Sequence, residues 1–154
     1  MQRVASARVE VGGVVVGRCG RGLVVLVAAH REDTLADAAK LAQRIVGMRI
    51  FNDADGKMNL NLEQVEAEHP SDEANILAIS NFTVYGDAAQ SRRPSFTAAA
   101  GFELGQSLFA AFLSALADQG ARVETGEFGA DMQVHLVNDG PVTLVIEAGP
   151  SGGA

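Results

Sequence analysis

Residues 23–27 read Leu23-Val24-Val25-Leu26-Val27. A short, β-branched run with no polar position is the pattern of a central, buried strand rather than of one with a face in water. Asn75-Ile76-Leu77-Ala78-Ile79-Ser80 reads the same way, so the sheet has at least two buried members. Upstream, Arg3 to Val11 alternates loosely, Gly12-Gly13 supplies a tight turn and Val14-Val15-Val16 returns, which predicts an N-terminal hairpin. Gly17, Gly20 and Gly22 then punctuate the chain and place Cys19 in a turn. Downstream, Asp33 or Thr34 can cap a helix whose apolar stripe is Leu35, Ala38, Ala39, Ala42, Ile45 and Val46, ending near Gly47 or Met48.

Ile50-Phe51, the turn Asn52-Asp53-Ala54-Asp55-Gly56 and the segment from Lys57 to Leu62 predict a second hairpin, followed by a polar stretch through His69-Pro70-Ser71. From Tyr85 to Ser95 the composition is that of a functional loop. Leu104, Leu108, Phe112, Ala115 and Leu116 then share one side of a second helix that Gly120 stops. Arg122–Thr125, Met132–Val137 and Val142–Glu147 read as three closing strands. Two main helices among seven or so short strands predict an α/β fold of mixed α+β character, with a mixed, partly antiparallel sheet and helices on one side. The 154 residues fit a single domain, taken as 1–147, with a Gly-rich tail at 148–154 that has nothing to bury and should fray.

Twelve basic residues against nineteen acidic give a net charge of −7, the wrong sign for a protein that coats nucleic acid or an anionic membrane. The average hides a split: residues 1–57 hold nine basic and six acidic residues, and residues 58–154 hold three and thirteen. Arg44, Arg49, Lys57 and the pair Arg92-Arg93 are the credible phosphate contacts. The longest clean apolar run, Leu23 to Ala29, is far short of the roughly 20 residues of a membrane span, and the N-terminus has no signal-peptide pattern. One cysteine forms no internal disulfide and no thiolate-rich zinc site, which suits a reducing, cytoplasmic setting.

The turn at 52–56 suggests a calcium loop, but the template puts Phe51 at its first ligand and Leu62 at its closing carboxylate; an Asp-Gly hairpin turn is the better reading. His30, His69 and His135 lack the spacing that converges on a metal. His135 reads as a solvated strand residue, and Cys19 has no predicted helix N-terminus to lower its pKa. Neither the G-x-S-x-G nor the H-E-x-x-H pattern occurs, and the glycines at 17, 20 and 22 have the wrong spacing for a phosphate loop. No metal or other cofactor is implied.

Two segments remain: Ser80-Asn81-Phe82-Thr83-Val84, at a strand end, and Asn138-Asp139-Gly140-Pro141-Val142-Thr143, between two predicted strands. Taken singly they read as a strand terminus and a turn. Together they resemble the signatures of the D-aminoacyl-tRNA deacylases, Ser-Gln-Phe-Thr-Leu and Asn-x-Gly-Pro-Val/Phe-Thr. The likeness extends to Gln2-Arg3-Val4, Arg49-Ile50-Phe51-Asn52-Asp53, Gly56-Lys57-Met58-Asn59, Arg92-Arg93-Pro94-Ser95-Phe96, Thr125-Gly126 and Phe128-Gly129-Ala130-Asp131-Met132-Gln133-Val134, in family order, from Gln2 to about Glu147.

The resemblance implies a three-layer α/β/β fold and a cytoplasmic homodimer with active sites at the subunit interface. The implied reaction is hydrolysis of the ester joining a D-amino acid, or glycine, to the tRNA 3′ end, with the L ester spared. The expected partner is the 3′ end of aminoacyl-tRNA, not DNA or membrane. Gly140-Pro141 is then the Gly-cis-Pro element that each subunit inserts into the other's site, its main-chain carbonyls holding the substrate ammonium and leaving no room for an L side chain. Arg3 braces that element; Ser80, Asn81, Phe82, Thr83 and Met132 line the pocket. Thr83 has no histidine or lysine in its signature to activate it, so Ser80 and Thr83 are assigned positioning and hydrogen-bonding roles ahead of covalent catalysis. In the family the substrate's own 2′-hydroxyl helps activate water, and backbone N–H groups stabilise the oxyanion. Asn81 is shorter by one methylene than the family Gln, and Ala88-Ala89-Gln90-Ser91 lacks the family's Lys-Gly. A non-catalytic or weakly active dimeric module that binds aminoacyl-tRNA is the alternative these departures keep open.

Overall fold

The run at 23–27 lies at the centre of the sheet. The computed structural model describes residues 1–71, 73–89 and 92–149. In chain order these form β1 (Gln2–Val11), β2 (Val14–Cys19), β3 (Gly22–Val27), α1 (Leu35–Gly47), β4 (Phe51–Asn52), β5 (Met58–Leu60) and α2 (Leu62–Glu68). There follow β6 (Ile76–Ser80), a 3-10 turn (Phe82–Tyr85), α3 (Phe102–Asp118), β7 (Val123–Thr125) and β8 (Gln133–Thr143).

The period of two along β3 and β6 sorts their residues between two cores. Leu23, Val25, Ile76 and Ala78 pack with Ala42 and Ile45 of α1 and Phe112 and Leu116 of α3. Val24, Leu77 and Ile79 point the other way, onto Val4, Ala7 and Val9 of β1 and Cys19 of β2. Both faces of these strands are therefore dry, which is why the runs carry no polar position. Helices, the parallel strands β3-β6-β7, and a second β layer from β1, β2 and β8 make the three layers. Each fully buried Leu, Val or Ile contributes about 1.5–3 kcal/mol by leaving water, so a polar residue at Leu77 would forfeit that and strand its own polar atoms between layers.

The sheet order is β2-β1-β3-β6-β7, with β8 pairing β1. β6 pairs in parallel with β3 on one side and β7 on the other. β1 joins the two β layers: Val4 pairs with Gly22 on one side and Asn138 on the other, while Ala7 pairs with Cys19 and Leu136. One edge of β1 thus takes β3 and then β2 in succession, and β8 runs along the opposite edge. The hairpin of β1 and β2 turns at Gly12 and Gly13, both at positive φ (57° and 81°), as a two-residue turn with right-handed twist requires.

Several expectations need correction. A third helix, α2, occupies what reads as hairpin end and polar stretch. Its start is a reciprocal capping box, Gln64 N–H donating to Asn61 Oδ1 (2.9 Å) and Asn61 N–H to Gln64 Oε1 (3.0 Å). Gly17 lies inside β2, opposite Val9, and Cys19 ends that strand, buried, rather than sitting in a turn. The segments Met132–Val137 and Val142–Glu147 are not two strands flanking a turn. β8 is one strand, Gln133–Thr143, and residues 144–147 lie beyond it. In the tail, Ala148 and Gly149 are half-buried, and residues 150–154 lie outside those described.

Candidate active site

The C-terminal ends of parallel strands are where an α/β sheet offers free backbone groups to a ligand. β6 ends at Ser80, opposite Val27 at the end of β3. Asn81 N–H donates to the Val27 carbonyl (2.8 Å), after which the chain leaves the sheet. Asn81 then organises a turn rather than a strand terminus: its Oδ1 accepts from Thr83 N–H (3.3 Å) and from the Thr83 hydroxyl (2.5 Å). Val84 N–H donates to the Asn81 carbonyl (3.2 Å) and Gly86 N–H to that of Thr83 (2.9 Å). The side chains of Phe82 and Val84 are left in solvent, 58% and 53% exposed. Thr83 gives its proton to an amide oxygen, which is no base, so nothing in the turn turns this hydroxyl into a nucleophile. Phe82 opens the 3-10 turn, and its N–H has no acceptor within it.

Met132 belongs to this edge. It packs over Gly126, where an added Cβ would come within 2.5 Å of the Met132 sulfur, and Gly126 N–H bonds the Ala78 carbonyl (3.2 Å), two residues before Ser80. Met132 therefore sits beside the chain leaving β7, the strand next to β6, whose end carries Ser80, Asn81, Phe82 and Thr83.

The second cluster is a bulge in β8. Between the pairs Val4–Asn138 and Gln2–Thr143 the register advances two residues on β1 and five on β8, which pushes Asp139, Gly140 and Pro141 out into solvent. Asn138 closes the bulge at its base: its Oδ1 accepts from Val142 N–H (2.9 Å), and its Nδ2 donates to the Val142 carbonyl (3.3 Å) and to Thr143 Oγ1 (3.1 Å). The Gly140-Pro141 peptide is cis. Beneath it lies Arg3, only 5% exposed. Its Nε meets the Asp139 carbonyl and Asp139 Oδ2, both at 3.1 Å, and its Nη1 donates to the Ile50 carbonyl (2.6 Å) and Asn52 Oδ1 (3.0 Å). A planar fork with several donors can serve all of these at once. Gly140 is at φ +124°, and a Cβ there would come 2.9 Å from Arg3 Nη2 and 2.8 Å from Val142 Cγ2, so only glycine fits. Asn52 and Asn138 were not singled out by residue type; the one legible signal was their place in the segments that resemble the family.

A family model described as D-Tyr-tRNA(Tyr) deacylase matches residues 1–147. The chain belongs to this family. It is 48% identical over 148 residues to a D-aminoacyl-tRNA deacylase of Desulfatibacillum aliphaticivorans, covering 96% of this chain and 97% of that protein. A D-aminoacyl-tRNA deacylase of Geobacter sulfurreducens (strain ATCC 51573 / DSM 12127 / PCA) is 48% identical over 147 residues, covering 96% and 92%. Among solved structures, one titled c-Myc DNA Unwinding Element Binding Protein superposes with a TM-score of 0.82 at 33% identity, covering 93% of each chain. One titled as a probable eukaryotic D-amino acid tRNA deacylase shares the fold at a TM-score of 0.70 and 17% identity, covering 91% of this chain and 92% of that one.

In this deacylase-family chain the two signature segments lie apart. The bulge on β8 is level with Leu23 of β3, since its flanks pair with Val4 and Gln2, which pair in turn with Gly22 and Val24. Ser80 is level with Val27, four residues further along, and three strand spacings separate β8 from β6. Two strands, β1 and β3, thus stand between the bulge and the end of β6 within one chain.

The expected phosphate contacts divide by environment. Arg44 Nη1 donates to the Glu147 carbonyl (2.7 Å), and Arg49 Nε to the Asn59 carbonyl (2.6 Å) with a second bond to Asn59 Oδ1, so both tie loops to the body of the fold. Arg92 is exposed on the loop that the Asp87–Ser95 bridge closes, directly after the turn at 82–85. The acidic turn spends its carboxylate on itself: Asp53 Oδ1 accepts from the N–H groups of Lys57 and Asp55, both at 3.0 Å. Those bonds, that of Lys57 first, hold the Asp53 pKa below the usual carboxylate value. Burial pushes the Cys19 thiol up to about 11, which leaves it inert at neutral pH.

Proposed function

We propose that this chain hydrolyses the ester of D-aminoacyl-tRNA, releasing the D-amino acid and tRNA while sparing the L ester. The reaction class rests on one observation: 48% identity across 96% of the chain to a D-aminoacyl-tRNA deacylase. In this reading the acylated adenosine enters at the end of β6, where Phe82, Thr83 and Ser80 line its pocket and the Phe82 N–H faces the developing oxyanion. The carbonyls at Gly140-Pro141 take the substrate ammonium, and Arg3 fixes where they stand. A carbonyl that meets the ammonium from the side an L side chain would fill rejects by volume, without a reactive group. Water attacks with help from the substrate's 2′-hydroxyl, and glycine, having no side chain to reject, is a second acyl group.

The separation of the two clusters supports a site shared between two copies of the chain, each supplying its bulge to the other's pocket. Among the described residues β8 pairs with β1 alone, and Val134 and Val137 on it are 36% and 58% exposed, a surface of the sort a partner covers. In this reading Arg92, exposed on its loop, meets the phosphates of the acylated 3′ end, while the net charge of −7 discourages binding along the tRNA body. The domain is taken as residues 1–147, and a buried free thiol at Cys19 suits the cytoplasm. Incubation with D-Tyr-tRNA and L-Tyr-tRNA is the test. Loss of the D ester alone is expected; no loss of it at catalytic protein concentration would leave only the binding-module reading.

A further inference from the structure

We propose that Phe96 is a positioning residue: it braces Phe82 and thereby fixes the orientation of that ring at the adenosine site. The inference rests on the reading that Phe82 lines that site. Phe82 projects from a four-residue 3-10 turn and is 58% exposed, so nothing in its own element limits the swing of its ring. The Phe96 ring meets it edge to face, with centroids 5.1 Å apart and planes at 75°. Such a pair fixes ring orientation as well as adding contact.

Phe96 is itself held. Asp87 and Ser95 exchange two backbone hydrogen bonds of 2.8 Å just before it, Ala99 N–H donates to its carbonyl (3.0 Å), and Ala100 N–H donates to Ala29 (2.8 Å) beyond the end of β3. The ring also lies on the backbone at Gly86, where an added Cβ would stand 2.9 Å from Phe96 Cε1. A glycine immediately after the turn is thus what lets Phe96 reach Phe82. An exposed aromatic ring is a platform for a nucleobase, and a platform already held in place loses less freedom when the base stacks.

The test measures the Kd of a non-hydrolysable D-aminoacyl-adenosine amide, and the KM and kcat for D-aminoacyl-tRNA. Phe96→Ala is expected to raise Kd and KM about threefold to tenfold and to change kcat less, the range of an edge-to-face pair. Phe96→Tyr, which keeps the ring, restores wild-type values, and Gly86→Ala, which displaces it, mimics Phe96→Ala. In a Phe82→Ala background the Phe96→Ala effect disappears, as coupling through Phe82 requires. A purely structural role would leave it in place and so overturn the proposal. Phe96→Leu covers the case in which the alanine variant fails to fold: a wild-type Kd for the leucine variant refutes the brace. If Phe82→Ala itself leaves Kd unchanged, the reading of the site has failed; if Phe82→Ala raises Kd and Phe96→Ala does not, only the brace has.

Discussion

Arg3→Met tests the idea that one buried guanidinium holds the substrate-facing bulge in place. Arg3 is 5% exposed and serves the Ile50 carbonyl, Asn52 Oδ1 and Asp139 through both its carbonyl and its carboxylate. Methionine fills most of the volume but removes the donors. The Ile50 carbonyl is left buried without its partner, whereas Asn52 and the Asp139 carboxylate, 48% exposed, can turn to water, so the cost is about 1–3 kcal/mol. For a chain of this length each kcal/mol shifts the melting point by about 2–4 °C, so a fall of roughly 2–12 °C is expected at fixed protein concentration. Arg3→Lys keeps the charge but not the fork and should fall between wild type and Arg3→Met. The functional readout is the ratio of D to L ester hydrolysis, which should drop in both variants as the carbonyls at 140–141 lose their fixed place. A stability loss under about 1 kcal/mol for Arg3→Met, or an unchanged D/L ratio in a folded variant, would refute the reasoning.

Other perturbations follow from the same geometry. Thr83→Ala removes a hydroxyl that donates to Asn81 and should lower kcat by less than about tenfold, whereas loss of nearly all turnover in single-turnover assays would indicate a covalent threonine. Gly140→Ala sets a Cβ against Arg3 and Val142 at a φ of +124° and should cost at least about a hundredfold in rate, since misplacement of about 1 Å suffices. Cys19, with its thiol pushed up to about 11, should resist alkylation at pH 8 in the folded protein and react once urea unfolds it. Burial works to raise the Glu66 pKa, but hydrogen bonds from Ser71 N–H, Arg122 and Asn75 outweigh it and the net shift is downward. Its stabilisation is therefore present above the unfolded pKa and lost as pH falls through the folded one, so Glu66→Gln should flatten the acid limb of a urea-midpoint profile below about pH 4.5.

The layers were legible because β3 and β6 are buried on both faces, and a run without polar residues reports that directly. Pattern alone could not say which apolar residue faces which core. The helix at 62–68 escaped because seven residues give less than two full turns of periodicity, although Asn61 and Gln64 spelled its capping box. The segments around Gly140 looked like two strands and a turn because Gly-Pro normally ends a strand; only the pairing of both flanks with β1 reveals a bulge. At the site, Ser80 to Thr83 and Gly140-Pro141 were found by resemblance. The partners that orient them, Asn52 for Arg3 and Phe96 for Phe82, come from distant parts of the chain, and no local pattern announces contacts of that kind.

Mixing two disabled chains tests the account most directly. Gly140→Ala lacks a usable bulge and Asn81→Ala/Phe82→Ala lacks a usable pocket; each alone should be inactive on D-Tyr-tRNA. If each site takes its pocket from one copy and its bulge from the other, random re-association gives half heterodimers with one intact site of two, and about a quarter of wild-type activity returns, with L-Tyr-tRNA still spared. A mixture as inactive as its components, from chains shown to exchange, would contradict it.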